Sequence, residues 1–437
     1  MENLMLWVGA AIVFGAIYFL VKGWETRLIL FTAGFLMAIL AGDPMKAFRF
    51  FSERMVFGGL IEPLLSVMGF AYVMKLTKCD AHLINLLTGK LSKMTWLLVP
   101  GAGIVTAIIN VPLPSAAGVS AAVGAILIPL LISAGVAPAL AAAAVFTGTF
   151  GSMLSPGLSH NIFISATLTQ GQLTVMDIIG IIFWPTIICL LIGCLSVTAI
   201  GYITKENKGY VSEEHVIVKI EECNVFYALI PLLPIALLIV VSYLNTAFTA
   251  GDLPGWLAQI RSIRISHAML IGSFVAMAAT LSSPTKTIDQ FFRGAGDVYA
   301  AVMGLIICAN VFVAGLETCG VVDAFNNMLR EAGDSAKYAA TWGPMILAIV
   351  TGTGDAATLA FNTAVTPHAA DFGMRPETMG SLANLAGALG RTASPLAGGI
   401  IVCAGIAKVS PFDIAKRTAP GMIIASFVAL FWFAYMV

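Results

Sequence analysis

One stretch of this chain constrains its fold more than any other. Residues 94–176 contain no Asp, Glu, Lys or Arg, and His160 is the only titratable ring among them. Over the whole chain 59% of residues are hydrophobic and 11% are charged, whereas a soluble domain carries about 25% charged residues. The apolar runs are long and rich in glycine and proline, which indicates helices rather than the alternating strands of an outer-membrane barrel. We therefore expect an all-α polytopic membrane protein.

Composition excludes several classes of function. The formal net charge is zero, so nothing in the sequence predicts a nucleic-acid partner. The seven cysteines have no metal-type spacing, and their odd number argues against a disulfide framework. Glu2 precedes the first apolar run and no small-residue cleavage site follows it, so residues 4–21 are predicted to be a retained membrane helix.

Two series of apolar segments flank a polar linker. A membrane helix needs about 20 apolar residues, and by that measure the chain has about 11–12 spans. The predicted units are a first transmembrane repeat at 1–203, a linker at 204–224 and a second repeat at 225–437. The predicted spans lie near 4–21, 28–42, 58–76, 95–110, 138–168, 178–203, 228–244, 267–281, 299–316, 341–352, 376–406 and 419–437.

The two series share one pattern of prolines and glycines. Matching residues follow in the same order, 235 to 240 positions apart, which indicates a duplicated unit. Duplication with matched, proline-interrupted segments is typical of secondary transporters. The clearest matches are Pro129, Gly135 and Pro138 with Pro367, Gly373 and Pro376, and Ser155-Pro156 with Ser394-Pro395.

Each half contains a predicted broken helix preceded by a re-entrant hairpin. The breaks are FGSMLSPGLSHN (150–161) and LGRTASPLAGG (389–399), because a proline within a span opens the helix there. The hairpin tips are VPLPSAAG in the first half and TGTGDA in the second, whose small and hydroxylated residues can approach an ion or ligand closely. Packing of helices through small residues is the alternative.

The sequence gives less direct evidence about how the two repeats are oriented relative to each other. Inverted repeats require an odd number of crossings, yet six spans are counted in each half. The loop 169–177 has no Lys or Arg, whereas its counterpart has Lys408, Lys416 and Arg417, and this asymmetry favours inversion. One segment of the second half, near 228–265, is then expected not to be a simple crossing.

Two charged residues lie inside the predicted broken positions. Arg391 either holds a structural place, pairing with Asp355 or capping backbone carbonyls, or binds a substrate carboxylate with its planar fork. The first half supplies Ser115, Ser152, Ser155 and Asn161 as candidate ligands of a second carboxylate. Asp355 binds sodium with Thr351 and Thr353, carries the coupling proton, or simply pairs with Arg391. His160 is read as a packed polar residue rather than a proton relay.

The segment GALGRTASPLAGGIIVCAGIAKVSPFDIAKRTAP (387–420) resembles the C-terminal signature of the DcuC type of anaerobic dicarboxylate carrier, which moves succinate, fumarate and malate in bacteria. TGTGDA resembles the second hairpin tip of that family, and FYALIPLLPI the start of its second half. The resemblance implies two inverted repeats, a scaffold and a moving transport domain, a homodimer, and a place in the bacterial cytoplasmic membrane. It assigns Arg391, Thr392 and Ser394 to the substrate motif.

The predicted function is secondary-active transport of a small organic anion, most simply a C4-dicarboxylate, by an elevator-type alternating access. Asn110, Thr351, Thr353 and Asp355 are the candidate coupling residues, with Na⁺ near Thr351 and Asp355 or H⁺ as the coupling ion, and no other cofactor is expected. The partners are then the anion and the lipid bilayer. A carrier of citrate or a keto acid and a cation/proton antiporter on the same fold plan are the alternatives. No enzyme is predicted, because no Ser/His, paired-Asp or HExxH constellation occurs at membrane depth.

Overall fold

The computed structural model describes residues 2–22, 24–91, 98–210, 223–247, 259–324, 327 and 336–436. Within these ranges the chain is helical and contains no strand. Most of the predicted linker, residues 211–222, lies outside them, as do residues 95–97 of one predicted span. Seven helical segments are long and apolar enough to cross a membrane, and shorter apolar helices accompany them.

The predicted first repeat contains an amphipathic helix (α3), a helical hairpin (α6 and α7) and a broken helix (α8 and α9). Proline occupies the first turn of α3 and α8, where a missing backbone donor costs nothing. After the break, α9 continues as a π-helical turn through Leu168. The helices are α1 (Glu2–Val21), α2 (Thr26–Leu40), α3 (Pro44–Met55), α4 (Gly58–Thr77), α5 (Cys79–Leu91), α6 (Leu98–Asn110), α7 (Ala116–Ser133), α8 (Pro138–Gly148, continued by a 3-10 turn Thr149–Leu154), α9 (Ser159–Phe163) and α10 (Val175–Ile203).

The second half of the chain also contains an amphipathic helix (α14), a helical hairpin (α16 and α17) and a broken helix (α18 and α19). Pro284 and Pro376 begin α14 and α18 as Pro44 and Pro138 begin α3 and α8. The helices are α11 (Val225–Leu229), α12 (Leu233–Ala247), α13 (Ile265–Thr280), α14 (Pro284–Val298), α15 (Gly304–Thr318), α16 (Ala336–Thr351), α17 (Gly354–Ala364), α18 (Pro376–Ala393), α19 (Gly398–Ala407) and α20 (Pro411–Tyr435).

The hairpins account for two predicted spans. Residues 95–110 and 341–352 are counted as crossings from sequence, but α6 and α16 are the first arms of the two hairpins. Residues 111–115 connect α6 to α7 and residues 352–353 connect α16 to α17, so each pair of helices turns back within a few residues. Apolar length alone therefore does not separate a hairpin arm from a crossing.

The last helices of the two repeats, α10 and α20, run antiparallel. Cys189 Sγ contacts the carbonyl oxygen of Ala425 at 3.5 Å, and Gly193 lies against Gly421. Further along, Glu206, just beyond the end of α10, forms an ion pair with Arg417 in the second turn of α20. Residue numbers thus rise along one helix as they fall along the other.

The helices form two groups, and a further core made by α4, α9, α10, α15 and α17 packs between them. One core joins α1, α2 and α15, and another joins α4 with α13; both lie away from the hairpins. Hairpin α6/α7 shares a core with α8 and with α19 of the other repeat. Helices α10, α18 and α20 complete that second group. We call the first group the outer bundle (α1–α4 and α11–α15) and the second the hairpin bundle (α6–α10 and α16–α20).

Glycine allows each hairpin arm to touch the broken helix that follows it. A Cβ on Gly151 would lie 2.2 Å from the carbonyl oxygen of Ala107 in α6. A Cβ on Gly390, at the matching place in the second repeat, would lie 2.2 Å from the carbonyl oxygen of Met345 in α16. Both helices therefore meet backbone to backbone just before their breaks.

Candidate functional site

Both proline-marked breaks have the same backbone geometry. Ser155 (φ −82°, ψ 131°) ends the first half of one broken helix, and Ser394 (φ −88°, ψ 130°) ends the first half of the other. The following prolines, Pro156 and Pro395, disfavour a helical residue before them, so the chain becomes extended. The helix resumes at Ser159 and at Gly398 without a side-chain cap. First-turn amides are therefore left without a side-chain acceptor at both places.

The hairpin tips are tight turns that lie against the breaks. Ser115 caps α7 by accepting a hydrogen bond from the amide of Gly118 at 3.1 Å. In the second repeat, Gly352 has φ +74°, and a Cβ there would lie 2.6 Å from the backbone of Leu396 beyond the break. Only glycine fits that position, because the turn needs a left-handed residue and the neighbouring chain leaves no space.

All four of these features line one cavity of about 430 Å³. Its volume falls within the usual range for small-molecule sites. Four helices begin at its wall: α7 at Ala116, α9 at Ser159, α17 at Gly354 and α19 at Gly398. Each helix N-terminus carries about half a positive charge, so together they favour an anion in the cavity. Of the predicted site residues, the wall includes Ser115, Ser152, Thr353, Asp355 and Arg391.

Arg391 connects the two repeats at this cavity. It lies in the last turn of the helix before the second break, where a cation also complements the helix dipole. Its Nη2 donates to the carbonyl oxygen of Thr149, at the start of the first repeat's 3-10 turn, at 3.3 Å. Ser152, on that same turn, occupies the place in the first repeat that Arg391 occupies in the second. One hydrogen bond leaves other donors of the fork for a ligand.

Asp355 pairs with His160 rather than with Arg391. His160 Nε2 lies 2.8 Å from Asp355 Oδ1, and the guanidinium of Arg391 is not within ion-pair distance of that carboxylate. The expected Asp355–Arg391 pair is therefore absent between these two described residues. The His160 side chain is 5% exposed, whereas that of Asp355 is 52% exposed, because it faces the cavity.

Polar residues just behind the wall fix the breaks in place. Asn110 Oδ1 accepts from the amide of Ser152 at 2.8 Å, and its Nδ2 donates to the carbonyl of Leu113. Asn161 Nδ2 donates to the carbonyls of Met153 and Ser155, and its Oδ1 accepts from Asn384 Nδ2 at 3.0 Å. These bonds satisfy carbonyls and amides that the broken helix would otherwise leave unpaired in the membrane.

Four other predicted site residues are occupied by bonds of their own. Ser155 Oγ accepts from the amide of Gly157, and Ser394 Oγ donates to the carbonyl of Ile349 in the hairpin arm. Thr392 is fully buried, with its hydroxyl on the carbonyl of Ala388. Thr351 Oγ1 donates to the carbonyl of Leu347. The structure brings these residues close to the cavity but does not place them on its wall.

Asp297 is a wall residue that the sequence does not indicate. It is at the end of the amphipathic helix α14 and accepts a hydrogen bond from the hydroxyl of Tyr72 in α4. Among the residues that line the cavity in the described part of the chain, Asp297, Asp355 and Arg391 are the charged ones. Asp297 has no counterpart in the repeat pattern, so only the tertiary structure could reveal its place.

A second cavity, of about 560 Å³, lies between α4, α10, α12 and α13. Its arginines are already engaged: Arg264 faces Glu62 at 3.6 Å, and Arg261 donates to Asn245. Neither hairpin tip lines it, and neither Pro156 nor Pro395 does. The 430 Å³ cavity is therefore the candidate site.

Solved structures of transporters share this fold. The chain is similar to the Neisseria gonorrhoeae protein MtrF, described as one of a class of antimetabolite efflux pumps, with a TM-score of 0.63 over 92% of this chain and 84% of that one. It is also similar to the Alcanivorax borkumensis YdaH transporter, described as having an unusual topology, with a TM-score of 0.56 over 96% of this chain and 97% of the other. Both are 14% identical in sequence, so the likeness concerns the fold alone.

Sequence relatives are transporters as well. A putative uncharacterized transporter of Haemophilus influenzae is 42% identical over 291 residues, which is 64% of this chain and 99% of that protein. The probable anaerobic C4-dicarboxylate transporter DcuC of Vibrio cholerae is 26% identical over 96% of this chain and 95% of its own length. The anaerobic C4-dicarboxylate transporter DcuC of Escherichia coli K12 is 24% identical over 97% and 95%.

A family model matches nearly the whole chain. The sequence model of the DcuC family, described as the C4-dicarboxylate anaerobic carrier, matches residues 44–437. That range includes both hairpins, both breaks and every residue that lines the cavity. The chain is therefore a transporter rather than an enzyme, and it belongs to the DcuC family of C4-dicarboxylate anaerobic carriers.

Proposed function

We propose that this protein is a secondary-active carrier of C4-dicarboxylates such as succinate, fumarate and malate. One observation carries the proposal: four helix N-termini and the guanidinium of Arg391 converge on one cavity between the two repeats. Arg391 binds one carboxylate of the substrate through its planar fork, because the geometry of a guanidinium matches two carboxylate oxygens. Ser115, Ser152 and Thr353 then supply hydroxyl donors to the second carboxylate.

The mechanism that we propose is an elevator-type alternating access. The hairpin bundle holds the substrate and moves against the outer bundle, carrying the cavity from one side of the membrane to the other. One feature supports this movement: each half of the chain contains a helical hairpin followed by a broken helix. The antiparallel packing of α10 and α20 supports an inverted relation between the repeats.

The same proposal covers the membrane, the oligomeric state and the coupling ion of the carrier. We place it in the bacterial cytoplasmic membrane as a homodimer, which the family resemblance implies, with either H⁺ or Na⁺ as the coupling ion. The mass of the detergent-solubilised particle, corrected for bound detergent, tests the dimer. A particle of about one chain's mass would contradict it.

Uptake of labelled succinate into proteoliposomes preloaded with unlabelled succinate tests the substrate. We expect exchange in the wild type and its loss in Arg391→Ala, because the variant removes the cation that faces the carboxylate. Arg375→Ala is the matched control: Arg375 precedes the same helix but pairs with Glu377 at 3.5 Å and is away from the cavity. Loss of exchange in both variants, or exchange that survives in Arg391→Ala, would contradict the assigned role.

A cation/proton antiporter is the second candidate, and one observation favours it. Two carboxylates, Asp297 and Asp355, line the cavity, against one guanidinium. If succinate, malate, fumarate, citrate and lactate all fail to exchange in the wild type while a sodium gradient drives proton movement, the antiporter is correct. Family membership and the four helix N-termini favour the anion.

A further inference from the structure

We propose that His160 and Asp355 together take up the coupling proton when a dicarboxylate enters the cavity. This inference rests on the proposed function and identifies its coupling ion as H⁺ and its proton site as this pair. The two residues belong to different repeats, His160 to the helix after the first break and Asp355 to the tip of the second hairpin. Their contact at 2.8 Å therefore connects the first break with the second hairpin tip.

The first argument is the charge of the cavity. With His160 neutral, the charged groups of the wall are Arg391, Asp297 and Asp355, which sum to one negative charge. A dianion raises that sum to three negative charges inside the membrane. Uncompensated charge there is costly even when helix dipoles reduce the cost. A proton that enters with the dianion lowers the cost, and a group able to hold it must lie beside the cavity.

The second argument is the state of the imidazole. His160 is buried, its Nε2 faces the Asp355 carboxylate, and its Nδ1 has no hydrogen-bond partner in the described part of the chain. In the neutral ring Nε2 donates to Asp355 and Nδ1 bears a lone pair, which leaves one acceptor unused. The ring is thus held in the form that can accept a proton at Nδ1. Asp355 stabilises the imidazolium that results.

The third argument is a route for the proton. A small cavity of about 30 Å³ lies between His160, Asp355, Asn384 and Arg391. Asn384 Oδ1 is also buried without a partner in the described part of the chain, so both residues with an unsatisfied polar atom here line this space. A water molecule needs about 10–15 Å³ of such volume and two or more polar partners, so the space fits one water. One water in this space is the route that we propose between His160 and the substrate cavity, because Asp355 and Arg391 line both spaces.

Other charged groups around the pair are accounted for. Helix α18 brings Arg391 to the cavity wall, and α14 brings Asp297, which accepts a hydrogen bond from the Tyr72 hydroxyl of α4. Glu62 of α4 accepts from Ser266, away from this site.

The remaining elements that pack against the pair are α10, α15, α16 and the 3-10 turn Thr366–Phe372. Glu317 of α15 pairs with Lys46, Lys337 of α16 lies over the Tyr435 ring, and His368 of the turn pairs with Asp371. Helix α10 has one acidic residue. Asp177 forms a capping box with Thr174 at the start of that helix. The described part of the chain therefore brings no second base against His160. The proton passes from water on one side to the His160–Asp355 pair and returns to water on the other side after the dicarboxylate leaves.

A pH-gradient experiment tests the proposal. Proteoliposomes are given a more acidic outside, and uptake of labelled succinate is compared with uptake at equal pH on both sides. We expect the gradient to stimulate uptake in the wild type and to have no effect in His160→Gln, because glutamine can donate to Asp355 but cannot be protonated. His368→Gln is the matched control, since His368 lies 3.8 Å from Asp371 in a half-exposed histidine–aspartate pair that does not line the cavity.

Three outcomes overturn the proposal while leaving the proposed function intact: stimulation by a sodium gradient instead of a pH gradient, stimulation that persists in His160→Gln, or equal loss in His368→Gln. Absence of succinate exchange in the wild type at equal pH would instead contradict the proposed function.

A second measurement of proton uptake needs no translocation of the substrate. Calorimetric titration with succinate in buffers of different ionisation enthalpy reports protons taken up on binding, and we expect uptake by the wild type and none by His160→Gln. Zero uptake by the wild type overturns the proposal even if the variant does not fold.

Discussion

At the scale of single residues, the site depends on the difference between a guanidinium and an ammonium. Arg391 already donates one hydrogen bond to the carbonyl of Thr149, and that bond orients the rest of its fork toward the cavity. A lysine keeps the charge but not the two parallel donors that a carboxylate accepts. Geometry as well as charge is therefore expected to determine affinity.

Arg391→Lys is predicted to weaken dicarboxylate binding without unfolding the protein. A lost hydrogen bond to a charged group corresponds to about 1.5–3 kcal/mol, or roughly a 10- to 100-fold rise in the KM for exchange. Initial exchange rates over a range of succinate concentrations measure the effect. A KM equal to that of the wild type would show that the guanidinium acts as a point charge only.

Asn161 is predicted to be structural rather than substrate-binding. It donates to two carbonyls of the broken segment and accepts from Asn384, all in a buried position. Asn161→Ala leaves those groups unpaired, which is expected to lower the free energy of unfolding by about 1–3 kcal/mol. Thermal unfolding in detergent measures this, with Asn245→Ala on the outer bundle as control. If only the KM changes and the melting temperature does not, Asn161 contacts the substrate after all.

At the scale of elements, each hairpin and its broken helix form a unit in which backbones touch. Gly151 and Gly390 mark that contact at matching places in the two repeats. The contact positions the hairpin tip over the break, so it determines the shape of the cavity as well as the stability of the bundle.

Gly151→Ala is predicted to disturb this unit. The added methyl would lie 2.2 Å from the carbonyl oxygen of Ala107, so α6 and α8 must separate, at a cost of about 1–3 kcal/mol. We expect a lower melting temperature and reduced succinate exchange. Gly180→Ala in α10 is the control, because a Cβ there meets nothing within 4 Å and alanine favours a helix. Equal behaviour of the two variants would contradict the close contact.

At the scale of the whole molecule, polar contacts join the two bundles in addition to the apolar core that packs between them. One of them is Arg54 of α3, whose guanidinium stacks near the rings of Phe57 and Phe163 and donates to Thr167 Oγ1 at 3.3 Å. Phe163 and Thr167 follow the first break, so Arg54 connects the outer bundle to a segment that the proposed movement would carry away.

Cross-linking at this contact is predicted to stop transport. Cysteines introduced at Arg54 and Thr167 and joined by a short bifunctional thiol reagent would fix the bundles in the arrangement described. We expect uptake to fall to the background level and to recover when a reductant cleaves the link. The single Arg54→Cys variant treated in the same way is the control. Undiminished uptake in the linked protein would contradict an elevator movement at this interface.

Much of this architecture follows from local sequence. The uncharged stretch 94–176 requires burial in lipid or protein, and a proline after Ser155 or Ser394 requires a break, wherever the segment lies. The repeat pattern then predicts two of each feature. The choice of Arg391 as a cavity residue follows in the same way, because an arginine among small apolar residues needs water or an anion.

The tertiary structure decided which groups meet. The partner of Asp355 is His160, which is 195 positions away in the sequence. Asp297 lines the cavity although it belongs to an amphipathic helix, which from sequence would be expected at the surface. Periodicity and proline spacing report the environment of a residue along its own segment, but they hold no information on the distance between segments. Pairing across the repeats depends on how the two hairpins and two breaks pack together, and that packing is a property of the whole chain.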